Sequence, residues 1–348
     1  MNRRSFLLAS GVAALLPLGA RAEAAQITGA GATFPAPVYA KWGEAAQAAI
    51  GIQLNYQAIG SGGGQNQIVN RTVDFGASDA PVAADRLEQH GLLQFPAVMG
   101  SVVPIVNIPG VGTDQLRLTG ELLAEIYAGR ISKWNDPRLV EANRGVSLPN
   151  LAIAPVYRAD GSGTTFVFTS YLSAVSPEWQ RKVGANTSIR WPVGNGARGN
   201  DGVAGMVRNT RGAIGYVENA YATRNRLATA QLRNKAGNFV RPTMESFRAA
   251  AANADWSVPH FAASLIDTNG AESWPIVSPT FILLPKNPQD AARSANVMKF
   301  FDWAYRNGGR MAAELEYIPL PDEVADAVRA AWGREVKGPD GQPVWPPR

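Results

Sequence analysis

The segment Thr28-Gly-Ala-Gly-Ala-Thr-Phe-Pro-Ala-Pro-Val-Tyr-Ala-Lys-Trp42 runs from a glycine-rich loop into a stretch with helical character. Thr33 stands ahead of Pro35, and the pattern predicts a helix over residues 37–49. The start of a helix has unpaired backbone N–H groups and the positive end of a dipole, so a loop entering it can bind an anion. Glycine lets the backbone approach a ligand closely, and a hydroxyl adds a donor without bulk. The segment therefore predicts a helix with a candidate anion site at its start.

Two more glycine-rich loops place hydroxyl groups before a predicted helix. Gly60-Ser-Gly-Gly-Gly64 precedes residues 65–70, and Arg158-Ala-Asp-Gly-Ser-Gly-Thr164 precedes residues 166–172. A fourth segment, Gly76-Ala-Ser-Asp79, adds a carboxylate. Ser, Thr and Asp are ordinary helix caps and Gly is ordinary at turns, so one such loop is more often structural than functional. Four together predict a cage for a small oxyanion, provided that they converge in space.

The charged residues of these loops suggest which anion the cage would bind. Arg158 and Asp160 have two interpretations. They form a surface ion pair worth at most ~1 kcal/mol, or Arg158 donates several hydrogen bonds to an oxyanion while Asp160 holds the guanidinium in place. Asp79 would repel an anion unless that anion carries a proton to donate to the carboxylate. Phosphate near neutral pH carries such a proton and sulfate does not. The carboxylate therefore favours phosphate over sulfate.

Short apolar runs alternate with helical stretches along the whole chain, which is the pattern of an α/β protein. The predicted strands cover residues 52–56, 73–76, 102–107, 151–156, 213–217 and 281–284. The predicted helices cover residues 37–49, 120–128, 165–172, 202–209, 290–305 and 322–332.

Two apolar, proline-marked stretches predict passages between lobes: residues 101–107 and 274–281. If both cross the same gap, one lobe contains the two chain ends and the other contains the middle. This predicts lobe 1 at residues 23–101 and 275–348, with a loose tail at about 338–348, and lobe 2 at residues 102–274. The alternative is that both stretches are simply buried strands.

The first 22 residues have the pattern of a cleaved export signal. Met1-Asn-Arg-Arg-Ser-Phe-Leu-Leu8 is basic and then apolar, and Ala20-Arg-Ala22 matches an A-x-A cleavage site. The apolar run is shorter than the ~20 residues of a spanning helix. Arg3-Arg4 fits a twin-arginine signal as well as an ordinary Sec signal, so the route stays open. The mature chain is expected to begin near Glu23.

Composition argues against several classes of function. The net charge is +5, and removing residues 1–22 takes away three arginines and no acidic residue, leaving +2. A general nucleic-acid footprint is therefore weak. With no cysteine and only His90 and His260, we expect no disulfide, no transition-metal site and no cofactor.

Two enzyme-like motifs receive weaker support. Gly194-Asn-Gly-Ala-Arg-Gly199 matches G-x-G-x-x-G, but it follows Trp-Pro rather than a clear strand, which disfavours a dinucleotide site. An extracellular phosphatase would use Ser78 or Ser162 as its nucleophile. Its only histidine bases would be the two above, whose Gly, Pro and Phe neighbours indicate surface or packing roles. We therefore predict no catalytic residues.

With these residues in place, the chain resembles the periplasmic phosphate-binding proteins of high-affinity phosphate ABC importers, the PstS family. The resemblance spans residues 27–332. It rests on Thr28–Trp42 as quoted, Val73-Asp-Phe-Gly-Ala-Ser-Asp-Ala-Pro81, residues 158–171, Gly212-Ala-Ile-Gly-Tyr-Val-Glu218 and Phe300-Phe-Asp-Trp-Ala-Tyr305. The glycine-rich Ser61-Gly-Gly63, the prolines Pro104 and Pro279, and the twin-arginine-like start depart from the family pattern.

The resemblance implies a type II-like, two-lobe binding protein with a two-strand hinge and a ligand cleft between the lobes. It further implies a periplasmic monomer that delivers inorganic phosphate to membrane permease subunits. Sulfate or molybdate is the alternative ligand. Asp160 would brace the arginine, and the implied phosphate contacts are Ala32, Thr33, Phe34, Ser61, Asp79, Arg158, Ser162, Gly163 and Thr164.

Overall fold

Strands and helices alternate along residues 25–346, the part of the chain that the computed structural model describes. The predicted export signal, residues 1–22, lies outside this range. The strands are β1 (Ala25–Gly31), β2 (Ile52–Ala58), β3 (Phe75–Ser78), β4 (Leu92–Val106), β5 (Arg117–Leu118), β6 (Ala154–Arg158), β7 (Asn195–Ala197), β8 (Ala213–Glu218), β9 (Ala228–Thr229), β10 (Gln231–Arg233), β11 (Phe239–Val240), β12 (Leu265–Ile266) and β13 (Ile276–Pro285). The helices are α1 (Ala36–Ile50), α2 (Ser61–Val69), α3 (Ala84–Gln89), α4 (Gly120–Tyr127), α5 (Pro137–Ala142), α6 (Gly163–Val175), α7 (Pro177–Lys182), α8 (Gly199–Asn209), α9 (Asn219–Arg224), α10 (Met244–Ala251), α11 (Ala291–Asn307), α12 (Gly309–Glu314) and α13 (Asp322–Glu335), with a 3-10 turn at Pro259–Phe261.

A mixed sheet connects most of these strands in the order β2-β1-β3-β13-β4-β8-β6-β7. β12 pairs with β13, β9 pairs with β4, and β11-β10-β5 form a small separate sheet. β1 is parallel to β2 and β3, and β6 is parallel to β7 and β8. Ligands of such sheets bind outside the carboxyl ends of the strands. β1 ends at Gly31, β3 at Ser78 and β6 at Arg158. Three of the quoted segments lie at these strand ends.

β13 and β4 are neighbours in the middle of the sheet and connect its two halves. β4 pairs with β13 as far as Ser101 and with β8 from Val102 onward. β13 pairs antiparallel with β12 near its start and with β3 further along. Both strands are buried over their whole length. The proline-marked stretches at residues 101–107 and 274–281 therefore contain neighbouring strands.

The predicted strands and helices are present, and the differences lie at their ends. Helix α2 begins at Ser61 and not at residue 65, so that prediction was wrong at its start. Three glycines occupy the first turn, and Gly64 leaves no room for a side chain, because a Cβ there would lie 2.5 Å from the carbonyl oxygen of Ala30. β1 was not predicted, since Ile27 is its one large apolar residue.

Residues 344 and 345, within the predicted tail, contact α13 and the stretch of chain that follows it. The backbone N–H of Val344 donates to the carbonyl of Val336 at 3.1 Å, and Val344 is buried. The Trp345 ring packs edge-on against Trp332 with ring centroids 5.0 Å apart. Val344 and Trp345 are the large apolar residues of the tail, and burial on α13 stabilises them there.

Two aromatic clusters pack helices against the sheet. Phe301 makes edge-on contacts with Tyr39, Phe75 and Phe95. At the other end, Tyr216 stacks on Phe168 with centroids 4.2 Å apart. These aromatic contacts stabilise the packing of α11 and α6 on the sheet. Within residues 25–346, none of the helices combines the length and apolar character that crossing a membrane requires.

Candidate anion-binding site

The four predicted loops converge in the structure. The backbone N–H of Gly62 donates to the carbonyl of Gly161 at 3.0 Å, and the N–H of Gly163 donates to the Ser61 hydroxyl at 3.0 Å. The N–H of Asp79 donates to the same hydroxyl at 3.2 Å. Residue 32 of the first loop donates its N–H to the carbonyl of Ala77. The loops are thus held together by their own backbone and hydroxyl groups.

Residues 32–34, which we call the anion loop, present free backbone donors. The N–H groups of Thr33 and Phe34 have no hydrogen-bond acceptor among residues 25–346. The N–H of Ala32 is already used by Ala77 at 3.0 Å, so Ala32 offers no free donor. Both free donors lie just ahead of α1, whose dipole adds to their attraction for an anion.

Four hydroxyl groups at the site accept hydrogen bonds from N–H donors. Thr33 accepts from the backbone N–H and side-chain amide of Asn200, at 3.2 and 2.7 Å. Ser61 accepts the two N–H groups named above, Ser162 caps α6 by accepting from Thr165, and Thr164 accepts from Asn200 at 3.2 Å. None of the four donates to an acceptor within the described chain. Each hydroxyl therefore keeps its proton available for a ligand.

Arg158 supplies the positive charge. Its guanidinium makes a forked pair with Asp160, Nε to Oδ1 at 2.7 Å and Nη2 to Oδ2 at 2.6 Å. The Arg158 side chain is 1% exposed. Burial raises the pKa of Asp160, but the hydrogen bonds and charge of Arg158 outweigh burial and hold it below its usual range. Asp160 thus stays ionised and fixes the guanidinium, whose remaining N–H groups can bind an oxyanion.

Asp79 provides a buried acceptor facing these donors. Oδ1 accepts from the Thr280 hydroxyl at 2.8 Å, whereas Oδ2 is buried without a hydrogen-bond partner among residues 25–346. Burial raises the pKa of Asp79 to about 7, against the opposing effects of the Thr280 hydrogen bond and the Arg158 charge. A Cβ on Gly163 would lie 2.5 Å from Oδ2, so only glycine leaves this atom free. The donors and this single acceptor suit an oxyanion that carries a proton.

Comparison with known proteins identifies the family. A family model described as a PBP superfamily domain matches residues 19–307. The phosphate-binding protein PstS of Pasteurella multocida is 52% identical over 324 residues, covering 93% of this chain and 94% of that protein. This chain belongs to the PstS family. The resemblance stated from sequence is therefore confirmed.

A second PstS relative and a solved structure extend the comparison. The PstS of Haemophilus influenzae is 50% identical over 317 residues, covering 91% of this chain and 95% of that protein. The crystal structure of a phosphate-binding protein from Stenotrophomonas maltophilia, 21% identical, has a TM-score of 0.68 and covers 89% of this chain and 94% of its own. The fold is thus the two-lobe α/β fold predicted from sequence.

Sequence reasoning missed Asn200 and Thr280, which hold side chains of the candidate site. Asn200, at the start of α8, binds Thr33 and Thr164 with one side-chain amide. Thr280, in β13, binds Asp79. The glycine motif just before Asn200 could have indicated this residue, but it was interpreted only as a candidate dinucleotide site.

The two enzyme-like motifs have structural explanations. β7 lies inside the motif at residues 194–199 and not before it, and the N–H of Gly199 donates to Asp160 at 3.1 Å. The Ser78 hydroxyl donates to the carbonyl of Ala80 at 2.6 Å. Neither Ser78 nor Ser162 has a hydrogen bond to a histidine side chain within residues 25–346. These geometries support roles in shaping the site.

Proposed function

We propose that this protein binds inorganic phosphate in the cleft between its lobes and delivers it to the membrane permease of an ABC-type phosphate importer. The observation that carries the proposal is Asp79 Oδ2, a buried acceptor without a partner among residues 25–346, set among donors. The relatives of this protein are named phosphate-binding protein PstS, which supports the same ligand.

The proposed phosphate contacts divide by chemistry. Backbone N–H groups come from Thr33, Phe34 and Thr164, and hydroxyl groups come from Thr33, Ser61, Ser162 and Thr164. Arg158 donates through its guanidinium, Asp79 accepts, and Ala32 and Gly163 allow close approach of the loops. Phosphate has five non-hydrogen atoms, so roughly 1.5 kcal/mol per atom allows about 7–8 kcal/mol, a micromolar dissociation constant.

The Asp79 carboxyl provides the proposed selectivity. With its pKa near 7, Asp79 and bound phosphate share one proton, which forms the hydrogen bond between them. Sulfate brings no proton near neutral pH, so it can bind only where Asp79 is itself protonated, and that fraction falls as pH rises above 7. Phosphate is therefore preferred over sulfate and molybdate.

The proposed lobes are residues 23–101 with 275–348, and residues 102–274. β4 and β13 would form the hinge where they pass from one lobe to the other. A cavity of about 520 Å³ beside the site is lined from both lobes, by Ala36 and Ile59 on one side and Arg198 and Tyr221 on the other. We assign this cavity as the entrance to the cleft.

Export to the periplasm, cleavage near residue 23 and a monomeric state complete the proposal. The Arg3-Arg4 pair leaves the Sec and twin-arginine routes to experiment. Replacing both arginines with lysine keeps the charge, so loss of export in that variant would identify the twin-arginine route.

Titration calorimetry on protein stripped of bound ligand tests the function. We expect one phosphate per chain and much weaker binding of sulfate and molybdate. A preference for sulfate or molybdate would overturn the assignment. Phosphate release from a monoester, abolished by Ser78→Ala or Ser162→Ala, would instead support a phosphatase.

A further inference from the structure

Three tyrosine hydroxyls bind three consecutive carbonyls of the anion loop. Tyr56 donates to the carbonyl of Ala32 at 2.6 Å, and Tyr317 donates to the carbonyl of Phe34 at 2.6 Å. Tyr221 donates to the carbonyl between them, that of Thr33. The loop backbone is therefore held by side chains from three separate parts of the chain.

Holding these carbonyls also orients the free backbone donors. In a planar trans peptide, the C=O and the following N–H point in opposite directions. Tyr56 therefore fixes the N–H of Thr33, and Tyr221 fixes the N–H of Phe34, the two free donors of the loop. A hydrogen bond accepted by the C=O also polarises the N–H of the same peptide unit.

Tyr221 differs from the other two in its position. Tyr56 lies in β2 and Tyr317 follows α12, both within the proposed lobe 1, whereas Tyr221 lies in α9 of the proposed lobe 2. Its bond to Thr33 crosses the cleft, as does the bond between Asn200 and Thr33. When the lobes separate, Tyr221 leaves this carbonyl, and Tyr56 and Tyr317 keep theirs.

We propose that Tyr221 is a positioning residue that completes the donor geometry of the anion loop only when the lobes close. The inference rests on the proposed phosphate-binding function. Closure then aligns the N–H of Phe34 with the ligand. Tyr221 thereby slows phosphate release without contributing to the stability of the open protein.

Tyr221→Phe is the test variant, and Tyr305→Phe is the matched control. Tyr305 likewise donates its hydroxyl to a backbone carbonyl, that of Pro96 at 2.6 Å, but this carbonyl is outside the anion loop. Tyr317 is a poorer choice because its hydroxyl also contacts Glu218 at 2.9 Å. Both chosen variants keep the aromatic ring and remove one oxygen.

The measurements, all at pH 8, are the phosphate dissociation constant by calorimetry, the release rate by stopped flow, and the unfolding temperature of the phosphate-free protein. Tyr221→Phe should raise the dissociation constant about tenfold, mainly through faster release, and leave the unfolding temperature unchanged. Tyr305→Phe should lower the unfolding temperature and leave the dissociation constant within about twofold.

The outcomes separate this inference from the function on which it rests. A wild type that fails to bind phosphate overturns the proposed function. A wild type that binds, with a Tyr221→Phe variant of unchanged affinity and release rate, overturns the role of Tyr221 alone. If Tyr221→Phe destabilises the phosphate-free protein as much as Tyr305→Phe does, the Tyr221 hydroxyl has an ordinary structural role. That result also overturns the inference about Tyr221.

Discussion

The two faces of the proposed anion site carry different chemistry. The face from the first half of the proposed lobe 1 combines neutral donors of Thr33, Phe34 and Ser61 with the buried carboxyl of Asp79. The opposite face, residues 158–164, contains the guanidinium of Arg158 and two hydroxyls. The second face attracts any oxyanion, whereas the first accepts one that shares a proton. Affinity and selectivity should therefore be separable by mutation.

Arg158→Ala should have the largest effect on affinity. It removes a buried charge with several donors, and we expect phosphate binding to weaken by about 2–5 kcal/mol in titration calorimetry. Arg198→Ala is the control, because it removes an exposed arginine at the cleft entrance. Equal affinities in wild type and Arg158→Ala would show that the charged face is structural.

Asp79→Asn should alter selectivity more than affinity. The amide removes the negative charge and can donate instead of accept. The variant should keep measurable phosphate binding and gain relative affinity for sulfate in competition titrations. Asp85→Asn, which changes an exposed carboxylate on α3, serves as the charge control. A wild type that binds sulfate as well as phosphate, or a variant with an unmoved ratio, contradicts the role of the first face.

The sequence predicted the loop residues of both faces but not the distant residues that hold those loops. The loop residues were found because helix starts and glycine turns are local features. Asn200 and Tyr221 were missed because their partner Thr33 lies 167 and 188 residues away. Tyr317 reaches Phe34 over 283 residues. Such residues resemble ordinary core or cap positions until the fold brings them together.

Closure of the phosphate-free protein should depend on pH through Asp79. Its pKa is about 7 in the closed structure, and near the ordinary value of about 4 if opening exposes it to water. The closed form therefore binds this proton more tightly, so the contribution to closure is fully present below about pH 4 and is lost as pH rises through 7. Solution scattering should show a smaller radius of gyration at pH 5 than at pH 8.

The Asp79→Asn variant isolates this effect from other carboxyls. Glu218, also buried near the contact between the lobes, has its pKa raised by burial and would titrate in the same direction. The variant should lose the Asp79 part of the pH dependence and keep any part due to Glu218. Identical pH dependences in wild type and variant would contradict the assignment to Asp79.

Adding phosphate to wild type at pH 8 should also reduce the radius of gyration, and unchanged scattering curves would indicate a rigid molecule.

The smallest effect is expected at the edge of the cleft, where Glu316 joins the proposed lobes. Its Oε2 accepts from the Asn219 amide at 2.6 Å and from the Thr223 hydroxyl at 3.1 Å. These bonds are partly exposed, and water can replace them when the lobes open, so each adds little to closure. Glu316→Gln should change the phosphate dissociation constant by less than about threefold in calorimetry. Glu314→Gln, which alters a surface pair with Lys41 inside the proposed lobe 1, is the control. A tenfold loss confined to Glu316→Gln would mean that closure depends on this edge as much as on the two faces of the site.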